Sequence, residues 1–301
     1  MSRSRAGMIG GLRWSLVALP LLLAGCASTA VQHNLAETSA FAAREVGQEV
    51  QLQSTAEARA DAESKARALL AEPLSADGAV QIALGYSPTF QRMLAESAAA
   101  SAAATQSARL PNPILSYSEL AAGNLKEIDR ALTISLLDIL LLPQRLRLAD
   151  QQQVLHRLRS AGDVIATATE ARQAWVDAVA ARQSLTYAQQ AKKAAEAGAE
   201  LGRRMAAVGN FSRIEAAREQ SFYAEATADV ARAQLEAQRT REILIRLLGL
   251  SGDLAARLAL PDRLPDLPAT PDPESVLARR AFDERLDVAL ARAELDFTAR
   301  S

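Results

Sequence analysis

A chain of 301 residues that is 49% hydrophobic yet only 4% aromatic draws its apolar content from small and aliphatic side chains. Its mixture of Ala, Leu, Glu, Gln and Arg favours long, closely packed helices over a bulky core. A formal net charge of −1 gives nucleic-acid binding no support, and a single cysteine excludes an internal disulfide.

Arg3, Arg5 and Arg13 precede an apolar run from Trp14 to Ala24, followed by small residues up to Cys26. That is the layout of a secretory signal, and the run is shorter than the roughly 20 apolar residues of a spanning helix. Residues 1–25 therefore read as a signal peptide. The block Leu23-Ala24-Gly25-Cys26 resembles the bacterial lipobox, which implies that Cys26 is lipidated and becomes the first residue of the mature chain. Ala27 stands where an aspartate would, by the Gram-negative sorting rule, hold the product in the inner membrane. The resemblance thus implies the outer membrane.

Residues 26–73 are polar, alanine-rich and weakly patterned, and they read as a tether with helical character over 56–71. Residues 74–110 form a first helical segment. Ser75 and Asp77 are good N-cap types, Pro88 interrupts the pattern, and a second run extends from Phe90 to Leu110. Pro111 and Pro113 end it, because proline cannot continue a helix and biases the residue before it to extended shapes. Residues 111–142 then read as a β-hairpin: "ILSYSEL" (114–120) alternates loosely, and "ALTISLLDIL" (131–140) places Leu132, Ile134 and Leu136 on one face against Thr133 and Ser135. The stretch between them, with Gly123 and Asn124, reads as the turn. A lone hairpin is marginal in water, so it needs partners.

Residues 143–250 read as a long helical hairpin. From Gln144 to Ala197 there is no proline and one glycine, Gly162. A heptad seam through Val154, Leu158, Ala161, Ile165, Ala168, Arg172, Trp175 and Val179 predicts knobs-into-holes pairing. The break at "VGNFSR" (208–213) has C-cap residues Gly209 and Asn210 and an N-cap in Ser212. The returning helix carries a predicted seam of Ala217, Ser221, Ala224, Ala228, Ala231 and Leu235. A proline-rich connection occupies 251–273, and a further helix starts near Glu274 within 274–301.

No catalytic constellation is visible, so an enzyme is not expected. His33 and His156 have no cysteine or paired carboxylate at metal spacing, and the four methionines do not cluster, so neither metal nor cofactor is expected. Glu170, Arg172, Asp177 and Arg182 read as solvated faces or interhelical pairs.

The order of these elements resembles the first half of the TolC-like outer-membrane efflux factors, in particular the lipoproteins that pair with resistance-nodulation-division pumps. "LSADGAVQIALGYSPTF" (74–90) is similar to the family's opening helix, with Ser87 in place of the usual asparagine before Pro88. "LPNP" (110–113) is similar to the lead into the first strand pair, and "ISLLDILLLPQRLRLA" to the exit into the long helix. "ARRAFDERLDVALARAELD" (278–296) is similar to the start of a second repeat, without its proline. The resemblance implies a mainly α fold of long antiparallel helical hairpins, an α-barrel protomer, with an inserted β-hairpin that contributes to an outer-membrane β-barrel. It implies a homotrimer at full length and a passive conduit for small molecules or metal ions. The partners implied are a periplasmic adaptor of the membrane-fusion class, an inner-membrane pump and outer-membrane lipid. The adaptor would meet the hairpin tip at Gly209, Asn210, Phe211, Ser212, Arg213 and Ile214, although a plain helix–helix turn demands the same residue types there. Three copies of one hairpin fall short of the eight strands at which closed outer-membrane barrels begin, so the sequence reads as truncated after its first repeat. A periplasmic, lipid-anchored coiled-coil scaffold without a channel is the alternative reading.

Overall fold

Helix-forming composition is realised almost throughout. The computed structural model describes residues 31–110, 112–122, 125–267 and 273–300. The signal peptide, the lipidation site Cys26 and the turn residues Gly123 and Asn124 lie outside them. In chain order come α1 (31–46), α2 (Ala56–Leu69), α3 (Ala76–Gly85), α4 (Pro88–Ser107), β1 (Ile114–Ala122) and β2 (Leu125–Thr133). Then follow α5 (Leu136–Ala207), α6 (Arg213–Leu248), α7 (Gly252–Arg257), α8 (Glu274–Glu284) and α9 (Leu286–Arg300). The mainly α class with long helices and one inserted β-hairpin is as expected.

Three local expectations are corrected. The stretch 26–73 contains α1 as well as α2; Asn34, Thr38 and Ala42 recur at helical spacing and are all buried. The second strand is Leu125–Thr133 and not 131–140, because Ser135 stops it: its hydroxyl accepts the N–H of Asp138 at 3.4 Å and opens α5. Pro143 therefore falls inside α5. The third correction concerns the heptad seam. On α5 the expected seam residues Ala161, Ala168, Trp175 and Val179 are buried, but Val154 is exposed and the buried surface also takes in Leu155, Val164, Ala171, Ala174 and Ala178 beside the seam. Arg172, the polar exception of the expected seam, points out and donates to Asp77 at 3.1 Å.

The described chain divides into two compact units, with α1, α4, α5 and α8 contributing to both. One comprises residues up to Phe41, Leu94–Gly162 and Leu277 onward. Here α4 meets α5 along small and hydroxylated residues. Small side chains bring the backbones close, and each buried hydroxyl then needs a partner. Ser101 donates to Gln153 Oε1 at 2.8 Å, while Gln153 Nε2 donates to Ser101 O at 2.8 Å and to Thr105 at 3.2 Å. The Ser97 and Ser160 hydroxyls lie 2.6 Å apart. Glu37 of α1 accepts from Arg157 at 2.9 Å and pairs with His33 at 3.0 Å.

The other unit comprises Ala42–Met93 and Asp163–Val276. Its core gathers Leu74, Ile82, Leu84, Phe90, Val164, Val179, Leu244 and Leu248, all essentially inaccessible. Leu74 is its pivot. The Leu74 N–H donates to Ala259 O at 2.9 Å, its carbonyl accepts from Trp175 Nε1 at 2.7 Å, and the next residue, Ser75, caps α3 through Gly78 N–H at 3.0 Å. Trp175, 4% exposed, is thus a packing residue with a satisfied indole N–H. Ser87, buried, donates to Leu247 O at 3.0 Å, and Gly249 closes α6 in the left-handed conformation with φ 71°. A Cβ on Gly249 would strike the Pro88 ring. Arg241 donates to Ala255 O and Leu258 O at 3.2 and 2.9 Å, holding the chain after α7 against α6.

Candidate functional site

Two regions carry the functional expectations, and each is built from turn and strand chemistry. The first is the turn between α5 and α6. The α5 helix ends through Asn210 N–H donating to Met205 O at 2.9 Å, with Gly209 at φ 81°, a conformation in which a side chain is strained. α6 then opens with a reciprocal cap: Glu215 N–H donates to Ser212 Oγ at 3.2 Å and Ser212 N–H donates to Glu215 Oε2 at 2.7 Å. That backbone donor first, and the Ser212 hydroxyl second, hold the Glu215 carboxyl below its ordinary pKa. Of the six expected contact residues, Gly209 and Asn210 are in the turn, Ser212 is engaged in the cap, and Phe211 is half-buried near Gly202. Arg213 and Ile214 face solvent, Ile214 being 68% exposed, and Arg213 makes no ion pair among the described residues. The neighbouring Val208, 72% exposed, extends this apolar surface.

The second region is the β-hairpin. Its strands pair antiparallel from Ile114↔Thr133 to Ala122↔Leu125. Leu115, Tyr117, Leu120, Ile128 and Leu132 are all exposed, and the apolar exposure continues into α5 through Leu136, Leu137 and Leu140. Such a surface marks an interaction site in a soluble or membrane setting alike. Among the described residues no helix is long and apolar enough to cross a membrane, and no three His, Cys, Asp or Glu are grouped to hold a metal ion.

Neither a protein-family profile nor a curated protein matches the sequence. Solved structures do. A membrane protein from Pseudomonas aeruginosa superposes with TM-score 0.57 at 20% identity over 83% of this chain and 58% of its own. CusC, whose structures concern folding and transmembrane channel formation, gives TM-score 0.57 at 15% identity over 75% of this chain and 54% of its own. The outer membrane protein VceC from Vibrio cholerae gives TM-score 0.58 at 17% identity over 75% and 57%. The chain spans little more than half the length of these proteins, and at such identities the likeness is one of fold. The chain accordingly shares with these membrane proteins a fold of long helices.

Proposed function

We propose that this chain belongs to the lipid-anchored outer-membrane channel component of a tripartite export system, a passive conduit for small molecules or metal ions rather than an enzyme. The observation that carries this reading is an exposed β-hairpin set between long helices in a fold shared with CusC, a transmembrane channel former, and VceC, an outer membrane protein. Cys26 is the lipidated residue, α1 and α2 belong to the folded body, and β1–β2 form strands of the outer-membrane barrel. α5 and α6 contribute to the periplasmic tunnel. The protein works as a homotrimer at full length. An exposed heptad stripe on α6, Ala217, Ser221, Ala224, Ala228, Ala231 and Leu235, supports that assembly, since it offers further helices a close approach.

A periplasmic adaptor docks on the turn, through Gly209, Asn210, Phe211, Ser212, Arg213 and Ile214, with the inner-membrane pump behind it. A photo-crosslinking residue at Ile214 in whole cells captures the adaptor, and Arg213→Glu lowers that capture while leaving the Ser212–Glu215 cap intact. Absence of adaptor capture from positions 210, 213 and 214 alike would remove the docking assignment.

A further inference from the structure

The register of the hairpin distinguishes its two faces. We propose that the face bearing Leu115, Tyr117, Ile128 and Leu132 lies against the hydrocarbon of the outer membrane, and that the face bearing Ser116, Ser118, Glu127 and Asp129 lines water inside the barrel. This rests on the reading of β1–β2 as barrel strands. Each strand has nine residues, the length with which a tilted strand crosses a bilayer.

Residues directly opposite in an antiparallel pair share a face, and neighbours along a strand alternate. Leu115 stands opposite Leu132, Tyr117 opposite Arg130 and Glu119 opposite Ile128, so these share one face with Lys126. The charges on that face are compensated within the hairpin. Lys126 Nζ lies 2.6 Å from Glu119, the Tyr117 hydroxyl donates to Glu119 at 3.0 Å, and the Arg130 guanidinium sits 6.0 Å from the Tyr117 ring centroid. Ion pairing and a π face reduce the cost of a charge near hydrocarbon.

On the other face Ser118 stands opposite Asp129 and Leu120 opposite Glu127. The Glu127 and Asp129 side chains are exposed and make no hydrogen bond or ion pair among the described residues, so their carboxylates need water or a polar partner from outside the hairpin. Ile114 and Leu120 also lie on this second face. Hydropathy alone therefore does not separate the two faces; compensation of charge does.

The test uses the full chain in outer membranes with single cysteines introduced as Leu115→Cys, Leu132→Cys, Ser116→Cys and Ser118→Cys. The unaltered chain, whose one cysteine is Cys26, is the background. A charged, membrane-impermeant methanethiosulfonate reagent reads their exposure. The thiolate is the reacting species and a thiol in hydrocarbon stays protonated, so positions 116 and 118 react more than about tenfold faster than 115 and 132. The reverse order overturns the assignment of faces while leaving the hairpin in the membrane. Fast labelling at all four positions places the hairpin in water and removes the barrel reading together with this one. Protection at all four overturns the water-lined face.

Discussion

Gly249 shows how one residue serves two elements. It ends α6 at φ 71°, and its missing Cβ leaves room for the Pro88 ring that starts α4. Gly249→Ala combines left-handed strain with overpacking and is expected to cost about 2–4 kcal/mol, read as a fall in the denaturant midpoint without change in slope. His156 makes a different prediction. It lines a cleft of ≈ 650 Å³ with Leu155, Arg159 and Glu294, where burial first and the Arg159 charge second lower its pKa below the ordinary 6.5. The neutral imidazole is the favoured folded form. Its stabilisation is therefore complete above the unfolded pKa and is lost as pH falls through the folded value. Between about pH 7.5 and about pH 5.5, His156→Gln should lose less thermal stability than the unaltered protein. An identical loss in both would show that His156 does not titrate against the fold.

Among the elements, α6 was legible in its ends and in its period but not in its phase. Ser212 reads as the N-cap and is one; that Glu215 completes a capping box with it and that Gly249 stops the helix in the left-handed conformation are findings of the structure. The heptad spacing also holds. The buried positions, however, are Ala216, Glu219, Tyr223, Ala226, Val230 and Thr240, each at least partly covered, whereas the expected stripe is exposed throughout and Leu235 is 69% exposed. An alanine-rich helix presents small residues on two adjacent stripes, so a 4–3 spacing fits both and only the tertiary partner chooses. Leu244→Ala, at a fully buried position, should cost about 2–5 kcal/mol, whereas Leu235→Ala should stay within about 0.5 kcal/mol. Equal costs, measured by chemical denaturation, would mean the other stripe is buried. The second strand was misplaced for a related reason. "ALTIS" alternates as a strand should, but Ser135 followed three residues later by Asp138 is also a helix-start signature, and the cap prevailed.

For the molecule as a whole, the order of elements was legible because prolines, glycines and caps punctuate the chain. Strand pairing was legible only in outline, since the register depends on partners facing one another across the turn. At the α5–α6 turn, the sequence showed Gly209 and Ser212 as turn residues, but not that Phe211 packs near Gly202 while Val208 and Ile214 stay exposed. That division follows from the packing of two helices and not from local propensity. The exposed hairpin and the exposed α6 stripe are the surfaces that an oligomeric channel would cover. Conductance across a planar bilayer, with the protein extracted from outer membranes in its natural oligomeric state, tests the central claim most directly. The channel reading predicts discrete, stepwise current increments on insertion. Folded protein that adds no conductance above the bare bilayer would contradict it and favour a periplasmic lipid-anchored scaffold.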